Sequence, residues 1–232
     1  SSIAIANAHL YESLRSREQE LKLLSGARVK AQEDERRRIA REIHDSLGQM
    51  LTAIKFNVEI LEDAANLQAG EDRKRIAEIK SLLDNAMAEA REISYNLMPS
   101  VLVDFGLVPA IQFLGEQFSK GSHLEVHVHV SGVESRLDPS MEVGLYRIAQ
   151  EALTNITRHA EASTVNIQLL SDLESIRLII EDDGKGFSVN RLEPRKDERH
   201  GLGLVSMRER AASFNGLLIL DSRPGGGTEI IV

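Results

Sequence analysis

Cysteine and tryptophan are absent from this 232-residue chain. The lack of cysteine excludes disulfide frameworks, cysteine nucleophiles and thiolate metal sites. Aromatic residues make up only 4% of the chain, which argues against a stacking platform for single-stranded nucleic acid. The formal net charge of −8 argues against direct nucleic-acid binding, because neutralising phosphates requires a basic surface.

Long apolar runs are also missing. No stretch of about 18 apolar residues occurs, so we expect no membrane-spanning segment and no membrane contact within this sequence. The first residues lack the basic region and apolar core of a signal peptide. The sequence begins without Met inside an apparent helix, which suggests a fragment of a longer protein. We expect a cytoplasmic location, in a whole protein that is either soluble or membrane-attached.

Long helical patterns fill the first half of the sequence. From Ile39 to Leu61, apolar residues recur at close to the helical period, as on one face of a helix. From Ile76 to Leu97 they follow a strict heptad, which Pro99 ends. Two such helices form a hairpin with more apolar surface than one hairpin can bury. We therefore expect a homodimer that forms a four-helix bundle.

The pattern changes near residue 100. Leu124 to Val130 alternate between apolar and polar residues, as in a half-buried strand. A helical segment, two strands, a polar Gly-flanked stretch, another helix and a strand pair around RPGGG follow. This order predicts a sheet with helices on one face. The predicted fold class is α plus α/β: a helical hairpin in a dimeric four-helix bundle, then an α/β sandwich.

Two glycine-rich motifs in the second half suit a nucleotide. Asp182 ends a predicted strand and precedes Gly184 and Gly186, so the backbone can come close to a ligand. A buried carboxylate there can accept a hydrogen bond from an amino group such as adenine N6. Gly201 and Gly203 precede a helix, whose free N–H groups can face phosphate oxygens. Each motif alone is weak, because acidic turns and glycine caps are common.

A third motif lies on the predicted helix EALTNITRHA. Glu151, Asn155 and His159 recur every four residues, so they share one helix face. Such a polar stripe is usually solvated, but a separate apolar face leaves this one free to line a cleft. The amide oxygen of Asn155 is a suitable ligand for a magnesium ion that keeps most of its waters.

Together the three motifs resemble, in order and spacing, the N, G1 and G2 boxes of the GHKL ATPase superfamily of gyrase, Hsp90, histidine kinases and MutL. The resemblance covers roughly residues 104–232 and implies an α/β sandwich of the GHKL (Bergerat) type that binds ATP and magnesium. It implies that Asn155 holds magnesium and that Glu151 orders water or contacts the metal. It also implies that Asp182 binds adenine and that Thr228 of RPGGGTEI supports the adenine pocket.

The same resemblance implies further contacts to the nucleotide. Residues 187–200 would form a mobile ATP lid. The candidate nucleotide contacts are Arg158, His159, Gly184, Gly186, Gly201 and Gly203, and the lid cations that could neutralise the triphosphate are Arg195, Lys196, Arg199 and His200.

The first half narrows the resemblance to one branch. ERRRIAREIHDSLGQML resembles the phosphoacceptor box of sensor histidine kinases coupled to NarL/FixJ-type response regulators, and NLMPSVLVDFGLVPAI resembles their linker. His44 comes directly after Ile43 of the apolar stripe, so its side chain should flank the helical seam and reach solvent. A neutral ring nitrogen there can attack a γ-phosphorus. Asp45 could accept the proton of the other ring nitrogen. By resemblance, Asp45 and Gln49 match the phosphatase motif. Gly48 costs a helix about 1 kcal/mol relative to Ala, which suggests that it leaves space beside His44.

The favoured interpretation is a two-component kinase core. It autophosphorylates His44 from Mg-ATP, passes the phosphoryl group to an Asp of a response regulator, and also acts as a phosphatase for that regulator. A non-catalytic dimerising scaffold for a regulator is the alternative, and an anti-sigma-factor serine kinase is a third hypothesis. The predicted domains are a signalling helix or coiled coil at 1–34 (the possible end of a GAF sensor domain), a dimerisation and histidine phosphotransfer domain at 35–100, and a catalytic ATP-binding domain at 101–232. The stimulus, the particular regulator and cis or trans transfer are left open.

Overall fold

The computed structural model describes residues 2–64, 71–172, 175–188 and 202–232. The chain divides into two compact units, one of Ala31–Ser100 and one of Ser1–Lys30 with Val101–Val232. Among the described helices, none combines the length and the apolar character needed to cross a membrane. The predicted lid cations and Gly201 lie outside the described residues.

Long helices account for the first part of the chain. Helix α1 spans Ser2–Glu42, a π-helical turn spans Ile43–Leu47, helix α2 spans Gly48–Ala64 and helix α3 spans Glu71–Leu97. Lys55 pairs with Asp84 at 2.6 Å, and Lys80 pairs with Glu62 at 2.9 Å. The later residue of α2 therefore pairs with the earlier residue of α3, which shows that α2 and α3 are antiparallel neighbours. The predicted helical hairpin is present.

The apolar surface of this hairpin is only partly buried. Ala40, Leu83 and Ala90 are buried, at 4%, 9% and 6% exposure. Much of the remaining apolar surface of the π turn, α2 and α3 is exposed in the single chain, at Leu47, Met50, Ile54, Phe56, Ile60, Leu61, Ile79, Leu82 and Ile93. One hairpin therefore leaves apolar surface uncovered, as the sequence pattern predicts. The four-helix bundle of two chains stays a prediction.

The second part of the chain is an α/β unit. Its helices are α4 (Ser100–Phe105), α5 (Leu107–Gly121), α6 (Pro139–Asn155) and α7 (Leu202–Ser213), and a second π turn, Ile156–Ala160, follows α6. Its strands are β1 (Glu125–Ser131), β2 (Thr164–Ser171), β3 (Ile176–Asp182), β4 (Ile219–Ser222) and β5 (Thr228–Ile231). The five strands form one sheet in the order β1-β2-β3-β5-β4. Among the strands of the described residues, β1 and β2 pair in parallel and the other pairs are antiparallel. The predicted helical region followed by an α/β sheet domain is confirmed.

Alternation along β2 shows why the sheet packs on one side. Val165, Ile167 and Leu169 are fully buried, whereas the residues between them are not. Successive strand side chains point to opposite faces, so this pattern places one face of β2 against a core. Helix α6 begins at a proline that follows the N-cap Asp138, whose side chain accepts a hydrogen bond from the Ser140 N–H at 2.8 Å.

The predicted linker after residue 100 contains the short helix α4. The guanidinium of Arg136 donates to the carbonyl oxygens of Val103 and Leu102 at 3.3 and 3.4 Å. It also pairs with Glu142, a buried carboxylate on α6, at 2.7 Å. The last carbonyl groups of a helix have no partner within it, and Arg136 supplies one here. This long-range contact helps to hold the end of α4.

Candidate functional site

His44 and Asp45 lie in the π turn between α1 and α2. The N–H of Gly48 donates to the carbonyl oxygen of Ile43, which spans one residue more than an α-helical bond. Such π turns are rare and often mark functional sites. His44 is exposed, as its position beside the apolar stripe predicts. In the described part of the chain, the side chains of His44, Asp45 and Gln49 form no hydrogen bond or ion pair.

A groove of about 600 Å³ runs beside His44. A Cβ atom added to Gly48 would meet nothing within 4 Å, so open space lies next to this glycine. That this space serves a phosphoryl group on His44 stays a prediction. The groove is lined by Ile43, His44, Asp45, Gly48, Gln49, Thr52, Ala53, Phe56, Met87, Ala90 and Arg91.

Asp182 lies at the end of β3 with only 5% of its surface exposed. It is opposite Thr228 in the pairing of β3 with β5, and its Oδ1 accepts the Gly184 N–H at 2.9 Å. Burial raises the pKa of Asp182, while hydrogen bonds from Gly184 and Thr228 act against that rise. A buried carboxylate at the end of a strand fits a site for an amino group such as adenine N6. The structure thus brings Asp182, Gly184 and Thr228 together.

The glycines of the DDGKGF turn are required by close backbone packing. A Cβ at Gly184 would lie 2.4 Å from the carbonyl oxygen of Ala160. Gly186 has φ +56°, and a Cβ there would lie 2.1 Å from the carbonyl oxygen of Arg223. The Gly227 N–H donates to the Gly184 carbonyl oxygen at 2.9 Å. These contacts anchor the turn between the second π turn, Ile156–Ala160, and the β4–β5 loop. Contact of these glycines with a nucleotide stays a prediction.

The second glycine motif meets the polar face of α6. A Cβ at Gly203 would lie 2.3 Å from Oε1 of Glu151 and 3.4 Å from Nδ2 of Asn155. The first turn of α7 therefore lies against Glu151 and Asn155, with space for no side chain between them. Free N–H groups at the start of a helix favour anions such as phosphates.

The donor set at this place fits magnesium. Among the described residues, no group of three His, Cys, Asp or Glu side chains could hold a metal ion by itself. An amide oxygen and one carboxylate suit Mg²⁺, which keeps several waters and takes other ligands from phosphates. Asn155 and Glu151 are the residues that would hold it.

Two predicted contacts lie in a different setting. Arg158 and His159 are exposed and belong to the second π turn, Ile156–Ala160. The α-helical geometry behind the four-residue spacing ends at Asn155, so this spacing does not place His159 on the face of Glu151.

Two residues near these sites were missed from the sequence. Ser222 is buried; its hydroxyl accepts the Phe187 N–H, donates to the Gly227 carbonyl oxygen, both at 2.9 Å, and lies 3.1 Å from Oγ1 of Thr228. No local sequence signal indicates this, since it depends on strand register. Arg91 lines the groove of His44, and only the antiparallel pairing of α2 and α3 could have indicated it.

Comparison with known proteins gives both units a family. Residues 35–102 match the histidine kinase family, and residues 140–232 match the family of histidine kinase-, DNA gyrase B- and HSP90-like ATPases. The chain belongs to the histidine kinases. The predicted subfamily of NarL/FixJ-coupled sensor kinases is confirmed, and kinases with this ATPase domain use ATP.

Curated relatives of this kinase are named as sensor or signal-transduction histidine kinases. Sensor histidine kinase MctS of Rhizobium johnstonii is 34% identical over 94% of this chain and 47% of its own length. Signal transduction histidine-protein kinase/phosphatase DegS of Brevibacillus brevis is 32% identical over 88% of this chain and 52% of its own length. The kinase/phosphatase UhpB of Salmonella typhimurium is 34% identical over 85% of this chain and 38% of its own length. The kinase chain thus spans about half the length of the relatives it matches, or less.

Proposed function

We propose that this kinase core transfers the γ-phosphoryl group of Mg-ATP to His44 and passes it to an Asp of a NarL/FixJ-type response regulator in the cytoplasm. The observation that carries the proposal is His44 itself, an exposed and unbonded imidazole on its own groove. A histidine with no structural contact is free to act as a nucleophile.

The transfer step would form one bond, break one bond and move one proton to a side chain of this chain. One ring nitrogen of neutral His44 forms a bond to the γ-phosphorus, and the bond from that phosphorus to the bridging oxygen breaks. ADP leaves with the electron pair, and Asp45 takes the proton of the other ring nitrogen. Phosphoryl transfer depends mainly on positioning and charge stabilisation, so the groove must admit the triphosphate end of the nucleotide.

Residues of the α/β unit would bind the nucleotide. Asp182 would accept a hydrogen bond from the adenine amino group, with Thr228 beside it. Asn155 would hold magnesium, with Glu151 ordering a water or contacting the ion; when bound, magnesium supplies positive charge to the phosphates. This magnesium assignment is supported by the position of Gly203, which lies close to the side chains of Glu151 and Asn155. Two motifs from separate helices therefore lie side by side.

A homodimer would complete the helical unit. Several apolar side chains of α2 and α3 are exposed, such as Leu61 at 63% and Leu82 at 68%. Burying this apolar surface against a partner would be favourable in water. A second copy of the hairpin presents the same surface and would form the four-helix bundle.

Incubation with γ-labelled ATP and magnesium tests the kinase proposal. We expect label on the wild-type chain that is stable in base and lost in acid, and none on His44→Gln. His129→Gln, which changes an exposed histidine of β1, is the matched control and should label like the wild type. A folded dimer that takes no label would instead favour the non-catalytic scaffold.

Phosphatase activity is a separate proposal, which rests on Gln49 in the groove beside His44. Gln49→Ala should leave autophosphorylation largely intact and slow dephosphorylation of the regulator roughly tenfold or more, because a positioned water is lost. The release of phosphate from a purified phosphorylated regulator measures this. Gln32→Ala, on the exposed surface of α1, is the control. Equal release rates in all three proteins would contradict the role of Gln49.

A further inference from the structure

The groove beside His44 contains a cation that the proposed transfer does not use. Arg91 of α3 lines this groove together with His44, Asp45 and Gln49. In the described part of the chain, Arg91 forms no hydrogen bond or ion pair. Several other Arg and Lys side chains of the helical unit do, such as Arg38 with Glu35 and Glu42. An exposed guanidinium without a partner is available for an anionic ligand.

One cross-helix bond places Arg91 close to the level of His44. The hydroxyl of Ser94 on α3 donates to the carbonyl oxygen of Ala40 on α1 at 3.0 Å. Ser94 lies about one turn after Arg91, and Ala40 about one turn before His44. Because α3 runs opposite to the chain direction of α1 and α2, moving one turn along each helix brings Arg91 opposite His44.

A second bond between the helices lies on the other side of the position where His44 and Arg91 face each other. Lys55 of α2 pairs with Asp84 of α3 at 2.6 Å. Lys55 lies about three turns after His44, and Asp84 about two turns before Arg91. The two bonds therefore bracket the segment, and small buried Ala90 lets α3 approach closely there.

Charge in the groove gives this position a chemical consequence. Asp45 has the same sign as a phosphoryl group and lines the same groove, so it opposes a phosphate on His44. Arg91 is the lining residue with a permanent positive charge. Its planar fork matches the spacing of two phosphate oxygens.

We propose that Arg91 binds the phosphoryl group on His44, neutralising its oxygens as the P–N bond forms and while the phosphohistidine persists. Arg91 itself forms and breaks no covalent bond. This inference rests on the proposed function, since it takes His44 as the phosphorylated residue.

Two measurements on the whole chain test it. First, γ-labelled ATP with magnesium should phosphorylate Arg91→Gln about tenfold more slowly than the wild type, with Arg91→Lys in between. Second, phosphoramidate loads histidine without any nucleotide, and ³¹P NMR then follows the titration of the phosphoryl group on His44. Arg91→Gln should raise the pKa of that phosphoryl group by roughly half a unit, because a neighbouring cation is lost.

Lys74→Gln is the matched control, since it removes one exposed charge from the same helix about 26 Å away. Both readouts of Lys74→Gln should equal those of the wild type. An Arg91→Gln protein with wild-type titration would overturn the proposal, as would a His44 that phosphoramidate cannot load. A wild-type chain that loads from phosphoramidate but never from ATP would refute the proposed kinase function, while the titration would still decide the role of Arg91.

Discussion

In this kinase, residues from distant segments surround the individual residues of the predicted nucleotide site. Gly203 lies in the first turn of α7, and its position matters because Glu151 and Asn155 of α6 lie against it. Asp182 is likewise defined by Thr228 on the adjacent strand and by the Gly184 N–H. Because the neighbour of Gly203 is the mobile end of the Glu151 side chain, a small substitution at Gly203 should affect binding more than folding.

Gly203→Ala tests this at the residue scale. The added Cβ would lie 2.3 Å from Oε1 of Glu151, and the mobile end of that side chain must move away. We expect the fold to persist and the affinity for Mg-ATP to fall about tenfold, as measured by titration calorimetry. Gly121→Ala, where the new Cβ meets nothing within 4 Å, should bind like the wild type. Unchanged affinity in Gly203→Ala would mean that this contact is not part of the nucleotide site.

At the scale of elements, helices of the α/β unit are held by close packing against distant segments. Gly144 of α6 is buried, and the ring of Phe214, just after α7, fills the space that its side chain would take. Helix α4 is similarly held by Arg136, which lies more than thirty residues later in the chain. Helix α6, which carries Glu151 and Asn155, is thus positioned in part by a contact about two to three turns before them.

Gly144→Ala should destabilise the α/β unit by about 1 to 3 kcal/mol, because its Cβ would lie 2.4 Å from the Phe214 ring. Urea denaturation measures this as a lower midpoint with an unchanged slope. Adding Phe214→Leu should recover part of the loss, since a smaller side chain makes room for the methyl group. A double variant less stable than either single one would contradict this packing account.

At the scale of the whole molecule, exposed apolar surface on the hairpin indicates assembly. Leu82 is 68% exposed on α3, and Ile79 lies one turn before it at 44%. Ile79 belongs to the heptad from which the sequence predicts a homodimer, and Leu82 is adjacent to Leu83 of that heptad. The described part of the α/β unit also has exposed apolar residues, such as Leu217 at 73%, which lies after the end of α7.

Leu82→Glu should weaken the dimer at least about tenfold, because burying a leucine contributes about 1.5 to 3 kcal/mol and a carboxylate costs free energy there. Sedimentation equilibrium over a range of concentrations gives the dissociation constant. Leu217→Glu replaces an equally exposed leucine of the α/β unit and should leave the dimer intact. If Leu82→Glu dimerises as tightly as the wild type, the α3 surface is not the interface.

The sequence by itself determined the kinase family, the antiparallel helical hairpin and the α/β sheet domain. Periodicity, turn residues and motif spacing are properties of the chain itself, so His44, Asn155 and Asp182 could be singled out without coordinates. Only the tertiary structure decided that π turns hold His44 and His159, that Arg91 reaches the groove and that Ser222 bonds beside Thr228. Those features depend on the register between segments far apart in sequence, and that register is set by packing of the whole unit.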